Sequence, residues 1–262
     1  MPNRSLAALR APLDSAYGNF NQPFGAEISA GVLDIDGLLR DFMFARWQPH
    51  LPLAPVAETA LAIGLQHERD VPLMARHYLA PVILNPAGRI VEILLQEPAL
   101  LSNADLAFGA PEQLGGYAPC AAIFSIHTFN FFERPEDVLS AAYQALQPGG
   151  KLFIGVQNAT TGTRELALTM GFIGSLQEIP AALRQAGQVR FFDLPSLCAT
   201  VSAAGFKICD SGGVMLKTLT DAQITALMRQ GLVGEPYLRA LDKLGQRLPD
   251  LCSSVYVVAQ KA

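Results

Sequence analysis

From Thr59 onward, short apolar runs alternate with stretches of helical periodicity, and that alternation admits few folds. Thr59 to Leu65, Pro81 to Leu84, Ala121 to Ile126, Lys151 to Val156, Phe206 to Asp210 and Ser254 to Ala259 read as strands. Between them, Asp70-Val71-Pro72 has the form of a helix start, with Asp70 as N-cap and an early proline. Arg89 to Leu95, Pro135 to Leu146, Leu194 to Ala204 and the stretch from Asp221 to Leu248 read as helical, with Gln147-Pro148-Gly149-Gly150 and Gly205 as stops. Strands alternating with helices pack as a mostly parallel sheet covered on both faces. The expected fold class is therefore α/β, a mostly parallel sheet with helices on both faces.

Ahead of this region, Leu38, Leu39, Phe42, Met43 and Trp47 form the apolar stripe of a helix that Pro52 and Pro55 bring to an end. Residues 1–35 read as an irregular N-terminal arm and residues 36–262 as the main domain, with 160–190 and 211–250 as cap or insert helices. Half of the 262 residues are hydrophobic and 16% are charged, which favours packed structure over long disorder. A formal net charge of −4 gives no basic footprint for a phosphate backbone, so nucleic acid is not an expected partner. The four cysteines show no CxxC spacing, and His50 and His77 lack ligand-type neighbours, so no metal is expected. No signal-peptide core and no apolar run of membrane-spanning length is visible, and a cytoplasmic location with no membrane association is the expectation.

The segment from Leu139 to Val156, a helix followed by Leu-Gln-Pro-Gly-Gly-Lys-Leu-Phe-Ile, resembles a step in class I S-adenosylmethionine-dependent methyltransferases. His127-Thr128-Phe129-Asn130-Phe131-Phe132-Glu133-Arg134-Pro135 is similar to that family's H-x-L-E-H-x-x-x-P stretch, and Gln157-Asn158-Ala159 to its P-N-A strand end. Ala204-Gly205-Phe206, the run from Ser211 to Lys217, and Ser254 to Val258 resemble downstream landmarks of a bacterial subgroup associated with polysaccharide or secondary-metabolite pathways.

The resemblance implies a Rossmann-like, doubly wound sheet and, after its first strand, a cofactor turn of the form E/D-x-G-x-G-x-G, where glycines let the backbone approach the ligand. On this chain the pattern falls on Ala62, Gly64, Gln66 and Glu68, and only Gly64 survives. The ribose-binding carboxylate at the end of the second strand becomes Asn85, an amide that accepts less strongly than an ionised acid. On the acceptor side, the family's E-H pair reads Asn130-Phe131, its N-S-L-H-R stretch ends in Thr163-Arg164, and its G-H-R-R-x-Y stretch reads Gly187-Gln188-Val189-Arg190-Phe191-Phe192. Three histidines fit for acid–base work are thus Phe131, Thr163 and Gln188 here. Apolar and turn positions are kept while polar site positions are changed, so the fold is expected to serve something other than ordinary methyl transfer.

His127 is the histidine left near the expected pocket, a structural strand-end residue first and a weaker candidate acid or base. His67 is new relative to the family pattern. Phe129, Phe131, Phe132, Phe191 and Phe192 read either as core or as a contact surface, while Asn158, Arg164, Arg190 and Lys217 lie on the pocket or acceptor side, the cations free to hold an acidic ligand or to pair with carboxylates such as Asp193. The leading expectation is a methyltransferase-like pseudoenzyme with no cofactor, associated with a protein partner, a related active methyltransferase among the candidates, or with itself as a homodimer. The alternatives are an active methyltransferase that binds S-adenosylmethionine through a divergent loop, and a cofactor-independent cyclase or isomerase acting on a small-molecule ligand.

Overall fold

The computed structural model describes residues 33–86, 92–94, 96–101, 103–107 and 111–262, apart from a few side chains. The first expected segment, residues 1–35, therefore lies almost entirely outside it, as does most of the helix expected over 89–95. In chain order the elements are α1 (Ile35–Trp47), β1 (Ala60–Leu65), α2 (Asp70–Ala75), β2 (Val82–Pro86), β3 (Asp105–Ala107), β4 (Cys120–Ile126), α3 (Pro135–Ala145) and β5 (Leu146–Gln157). They continue with α4 (Gly162–Thr169), α5 (Ala181–Gln185), α6 (Leu194–Ala203), β6 (Lys207–Leu216), α7 (Asp221–Arg229), α8 (Glu235–Gly245) and β7 (Cys252–Gln260).

The seven strands form one sheet in the order β3-β2-β1-β4-β5-β7-β6. All neighbours are parallel except β7, which runs antiparallel to both β5 and β6. This is the doubly wound, mostly parallel sheet expected of the class I methyltransferase fold. Side chains alternate between the two faces, as strand geometry requires. Ala62, Phe124, Phe153 and Tyr256 point into a core shared with α1, α2, α7 and α8, whereas Ile63, Ile123, Leu152 and Val257 point into one shared with α3 and α6.

Helix α1 is capped by Asp34, whose Oδ1 accepts from the Gly37 N–H at 2.9 Å. Its Phe44 and Trp47 join a stack with Phe124 and Phe153, the latter two rings 4.7 Å apart. Fully burying side chains of this size stabilises by roughly 2–3 kcal/mol each. Glycine at position 155 of β5 is a packing requirement, because a Cβ there would fall 2.1 Å from Met43 Sδ.

Four sequence expectations change. Arg69, not Asp70, occupies the N-cap position of α2, and Asp70 sits buried in the first turn. The Gln147–Gly150 turn lies within the span of β5, which pairs from Leu146 onward across a bulge. The stretch from Asp221 to Leu248 is two helices, broken where Gly231 takes φ +70°. Strand β6 runs on to Leu216, so residues 211–216 belong to the sheet rather than to a cap. Among the described residues no helix is long and apolar enough to cross a membrane.

Candidate functional site

In a doubly wound sheet the ligand crevice lies beyond the carboxyl ends of the strands, where the strand order reverses. Here that point is between β1 and β4. Gly64, near the end of β1, has φ +75°, and a Cβ on it would lie 2.7 Å from Thr128 Cγ2. Thr128 is itself fixed, its hydroxyl donating to the Ile63 carbonyl at 2.6 Å and sitting 2.8 Å from Ser125 Oγ. Gly64 is thus required by the protein's own packing. Ala62, where the family carries an acid, is buried in the core on the α1 side of the sheet. In the β1–β2 register Asn85 lies beside Gly64, between the pairs Ile63–Leu84 and Leu65–Pro86.

The turn that follows is tied to α1 by three pairs of side chains. His67 Nε2 lies 3.1 Å from Asp34 Oδ2, Arg69 Nε donates to Asp41 Oδ1 at 2.9 Å, and Asp70 Oδ1 lies 3.6 Å from Arg40 Nε. Gln66 Nε2 and Glu68 Oε2 are both buried without a hydrogen-bond partner among the described residues. Arg40 is 1% exposed and Asp70 fully buried. Burial pushes the Asp70 carboxyl up to about 6, against the pull of Arg40. Asp36 stands 3.5 Å from Arg40, whose charge outweighs desolvation and lowers its carboxyl below the usual range.

His127 ends β4 with φ 56°, a left-handed conformation that a non-glycine residue keeps only when its surroundings impose it. Its backbone N–H donates to the Gly155 carbonyl at 2.7 Å, and Nε2 lies 2.8 Å from Ser254 Oγ. Desolvation, reinforced by Arg40, Lys217 and His67, holds the ring well below its ordinary value, so it is neutral at pH 7.

The acceptor-side residues are engaged with backbone. Asn130 donates to the Arg190 carbonyl at 3.1 Å and accepts from the Gln157 N–H, and Gln188 donates to the same Arg190 carbonyl. Asn158 Nδ2 joins the carbonyls of Asp250 and Cys252, while Thr163 Oγ1 donates to those of Lys217 and Leu219. Arg164 donates to the Ala159, Leu176 and Glu178 carbonyls and lies over the Phe191 ring. Arg190 reaches the Glu133 carbonyl, and Lys217 pairs with Asp221 at 2.6 Å. None of the three cations uses Asp193, which instead caps α6 through Ser196. Phe129, Phe191 and Phe192 are core residues, and Phe131 and Phe132 are partly covered beside them, so the phenylalanines are not the exposed surface that one reading of the sequence allowed.

Sequence reasoning missed Arg40, Asp41, Asp70 as a buried acid, and Thr128. The signal was present for Arg40: it interrupts the apolar stripe of α1 directly after Leu38 and Leu39. Among the described residues no group of three or more His, Cys, Asp or Glu side chains is placed to hold a metal ion.

A sheet of this order, with its crevice at the ends of β1 and β4, defines a Rossmann-like protein of the methyltransferase type. A family model of the methyltransferase domain matches residues 64–211, more than half of the chain, and the chain belongs to this class I, S-adenosylmethionine-dependent family. Among solved structures it is similar to a possible histamine N-methyltransferase from Thermotoga maritima (17% identity, 86% of this chain and 92% of that one, TM-score 0.53). It is similar also to the [4+2]-cyclase SpnF (14% identity, 100% and 98%, TM-score 0.55). A third likeness is to a chain of the Haloferax volcanii complex between the Trm112 methyltransferase activator and its proposed methyltransferase (12% identity, 86% and 94%, TM-score 0.51). At these identities the likeness is one of fold. No curated protein sequence matches.

The residues after β1 do not fit the family's cofactor as its glycine-rich turn would. A turn that must let ligand approach the backbone carries side chains at positions 66, 67 and 68, and the buried His67 ring is bonded to Asp34.

Proposed function

We propose that this chain is a methyltransferase-like pseudoenzyme, a non-catalytic subunit that docks onto an active enzyme, a related methyltransferase first among them, in a bacterial glycan or secondary-metabolite pathway. The observation that carries this reading is the turn after β1, where Gln66, His67 and Glu68 replace a glycine-rich cradle and His67 is bonded to Asp34. The acceptor-side polar residues support it, since they serve the scaffold. The cap supports it as well: no residue from 163 to 185 is buried, although this stretch carries Leu166, Leu168, Met170, Phe172, Ile173 and Leu176. Apolar surface of that extent marks association sites.

Calorimetric titration with S-adenosylmethionine and S-adenosylhomocysteine tests the reading. The expected result is no heat and no thermal shift at about millimolar ligand, a Kd limit weaker than roughly −4 kcal/mol of binding. Micromolar binding overturns it in favour of an active methyltransferase with a divergent loop. A second reading, cofactor-independent cyclase or isomerase chemistry on a small molecule, is favoured by one observation: the His127 ring, buried at the strand end with Nε2 held 2.8 Å from Ser254 Oγ. A small molecule retained by the purified protein, and lost from a His127→Phe variant, would select it.

A further inference from the structure

The turn after β1 and helix α1 meet at a histidine with two alternative sets of partners. The Arg69 N–H donates to His67 Nδ1 at 3.1 Å, so the ring proton lies on Nε2 and is shared with Asp34 Oδ2, also at 3.1 Å. Asp34 is in turn the cap of α1 through its other oxygen. On the Nδ1 side, Glu68 Oε2 lies 3.6 Å away, buried and without a hydrogen-bond partner among the described residues. An orphaned buried carboxylate oxygen is costly unless a donor reaches it.

We propose that His67 is a proton-operated latch that locks the turn at residues 66–70 onto α1 as the pH falls. A proton taken from water goes onto Nδ1. The ring then donates on both sides, Nε2–H to Asp34 and Nδ1–H to Glu68, and the Arg69 N–H gives up its acceptor. The neutral ring holds the turn by one hydrogen bond to an acid; the charged ring bridges two.

The groups around the latch act together. His67 faces Asp34, Asp36 and Arg40 on α1 and Glu68 in its own turn, and its ring also acts on His127 at the end of β4. Against the burial that would lower it, Asp34 and Asp36 raise its affinity for a proton. Its stabilising contribution is therefore complete below the unfolded value and lost as pH rises through the folded one. Asp70 faces Arg40 and Asp36 on α1 and His67 and Glu68 in the turn, and its carboxyl is raised to about 6. The folded state thus holds a proton there that the unfolded state gives up from 3.8 upward, so this contribution also weakens as pH rises. Asp34, lowered to about 2, stays ionised throughout.

Hydrogen–deuterium exchange of the full chain at about pH 5.5 and about pH 8, corrected for intrinsic exchange rates, reads the latch directly. Amides of residues 66–71 are expected to gain about tenfold protection at the lower pH. His67→Gln keeps a donor for Asp34 but takes up no proton, and should abolish the gain. Glu68→Gln, which keeps the size of the side chain, should reduce it and serves as the deciding variant should His67→Gln fold poorly. Equal protection of the wild type at both pH values, or a full gain retained in both variants, overturns the latch. The result is independent of partner and cofactor binding, since neither is present.

Discussion

Gly64 and Thr128 are packed so closely that a Cβ on the glycine would lie 2.7 Å from Thr128 Cγ2, while the glycine's φ of +75° is one that side chains resist. Gly64 is therefore held by two constraints that need no ligand. Gly64→Ala is expected to destabilise by about 1–3 kcal/mol, from the clash together with the backbone strain. Thr128→Ser removes the clashing methyl and keeps the hydroxyl bonded to Ile63. In the double variant about half of the alanine's effect should return, leaving the conformational part. Urea denaturation of the four proteins gives the coupling energy, and additive effects would mean that the two residues do not touch.

Much of the fold is legible in the sequence because burial on both faces leaves a plain trace. Runs such as Ala121 to Ile126 and Lys151 to Val156 have few other places to go in a chain of this length. The order of the site is less legible, for a physical reason. Local pattern reports what a residue is next to along the chain, whereas Arg40 and Asp70 are made significant by meeting across 30 positions of sequence. Asp70 looked like a cap because small acids usually are caps. Tertiary burial against Arg40 gave it another role, and Arg69 took the end of the helix. The phenylalanines were ambiguous for a similar reason: Phe129 and Phe192 follow no single period, and only their contact, with centroids 5.4 Å apart, places both in the core.

Asn158 ties the end of β5 to the entry of β7. Its amide nitrogen donates to the carbonyls of Asp250 and Cys252, and its oxygen accepts from the Thr160 N–H. Asn158→Ala takes a partner from three backbone groups, of which the Asp250 carbonyl keeps the Thr160 hydroxyl and the Cys252 carbonyl lies at a buried site. A loss of about 2–4 kcal/mol is expected, at the upper end for a single polar deletion because several partners lose their bonds together. Asn158→Asp should be nearly as harmful, since the lost amide donors leave a carboxylate facing two carbonyl oxygens. Thermal unfolding monitored by Trp47 fluorescence, from a tryptophan buried against this sheet, measures both.

The two histidines at the crevice titrate in opposite senses. His127 has its proton affinity depressed by burial, so the unfolded chain binds a proton that the folded one refuses, and stability contributed by the neutral ring is lost as pH falls below 6.5. His67 is raised, and gains as pH falls through its folded value. As pH falls from about 8 to 6.5 the wild type should gain stability that His67→Gln does not, whereas below 6.5 the two should follow the same course, set by the His127 penalty and by the offsetting proton uptake of Asp70, whose carboxyl is raised to about 6. Imidazole NMR over the same range should show a His127 ring that stays neutral and a His67 ring that charges. Signals for His127 moving with a midpoint near 6.5 would show that the ring meets solvent, and would remove the opposition.

The surface at residues 163–185 supplies the remaining test, because none of its side chains is buried and Met170 and Phe172 are among the most exposed. Met170 is 63% exposed and Phe172 73%, and both sit at the end of α4, where the Phe172 N–H bonds back to the Ala167 carbonyl. A side chain that touches little when the protein is alone contributes little to folding, so Met170→Glu and Phe172→Glu should each change the stability of the isolated chain by no more than about 0.5 kcal/mol. If the surface docks a partner enzyme, a charge at its centre meets an apolar counterpart without water. The affinity for that partner, isolated from the source cell by the wild-type chain, should then fall by at least tenfold, equivalent to about 1.4 kcal/mol. The separation of the two effects is what identifies an interface. A variant that loses stability and binding in parallel would place these side chains in the fold, and one that binds its partner unchanged would move the docking surface elsewhere on the molecule.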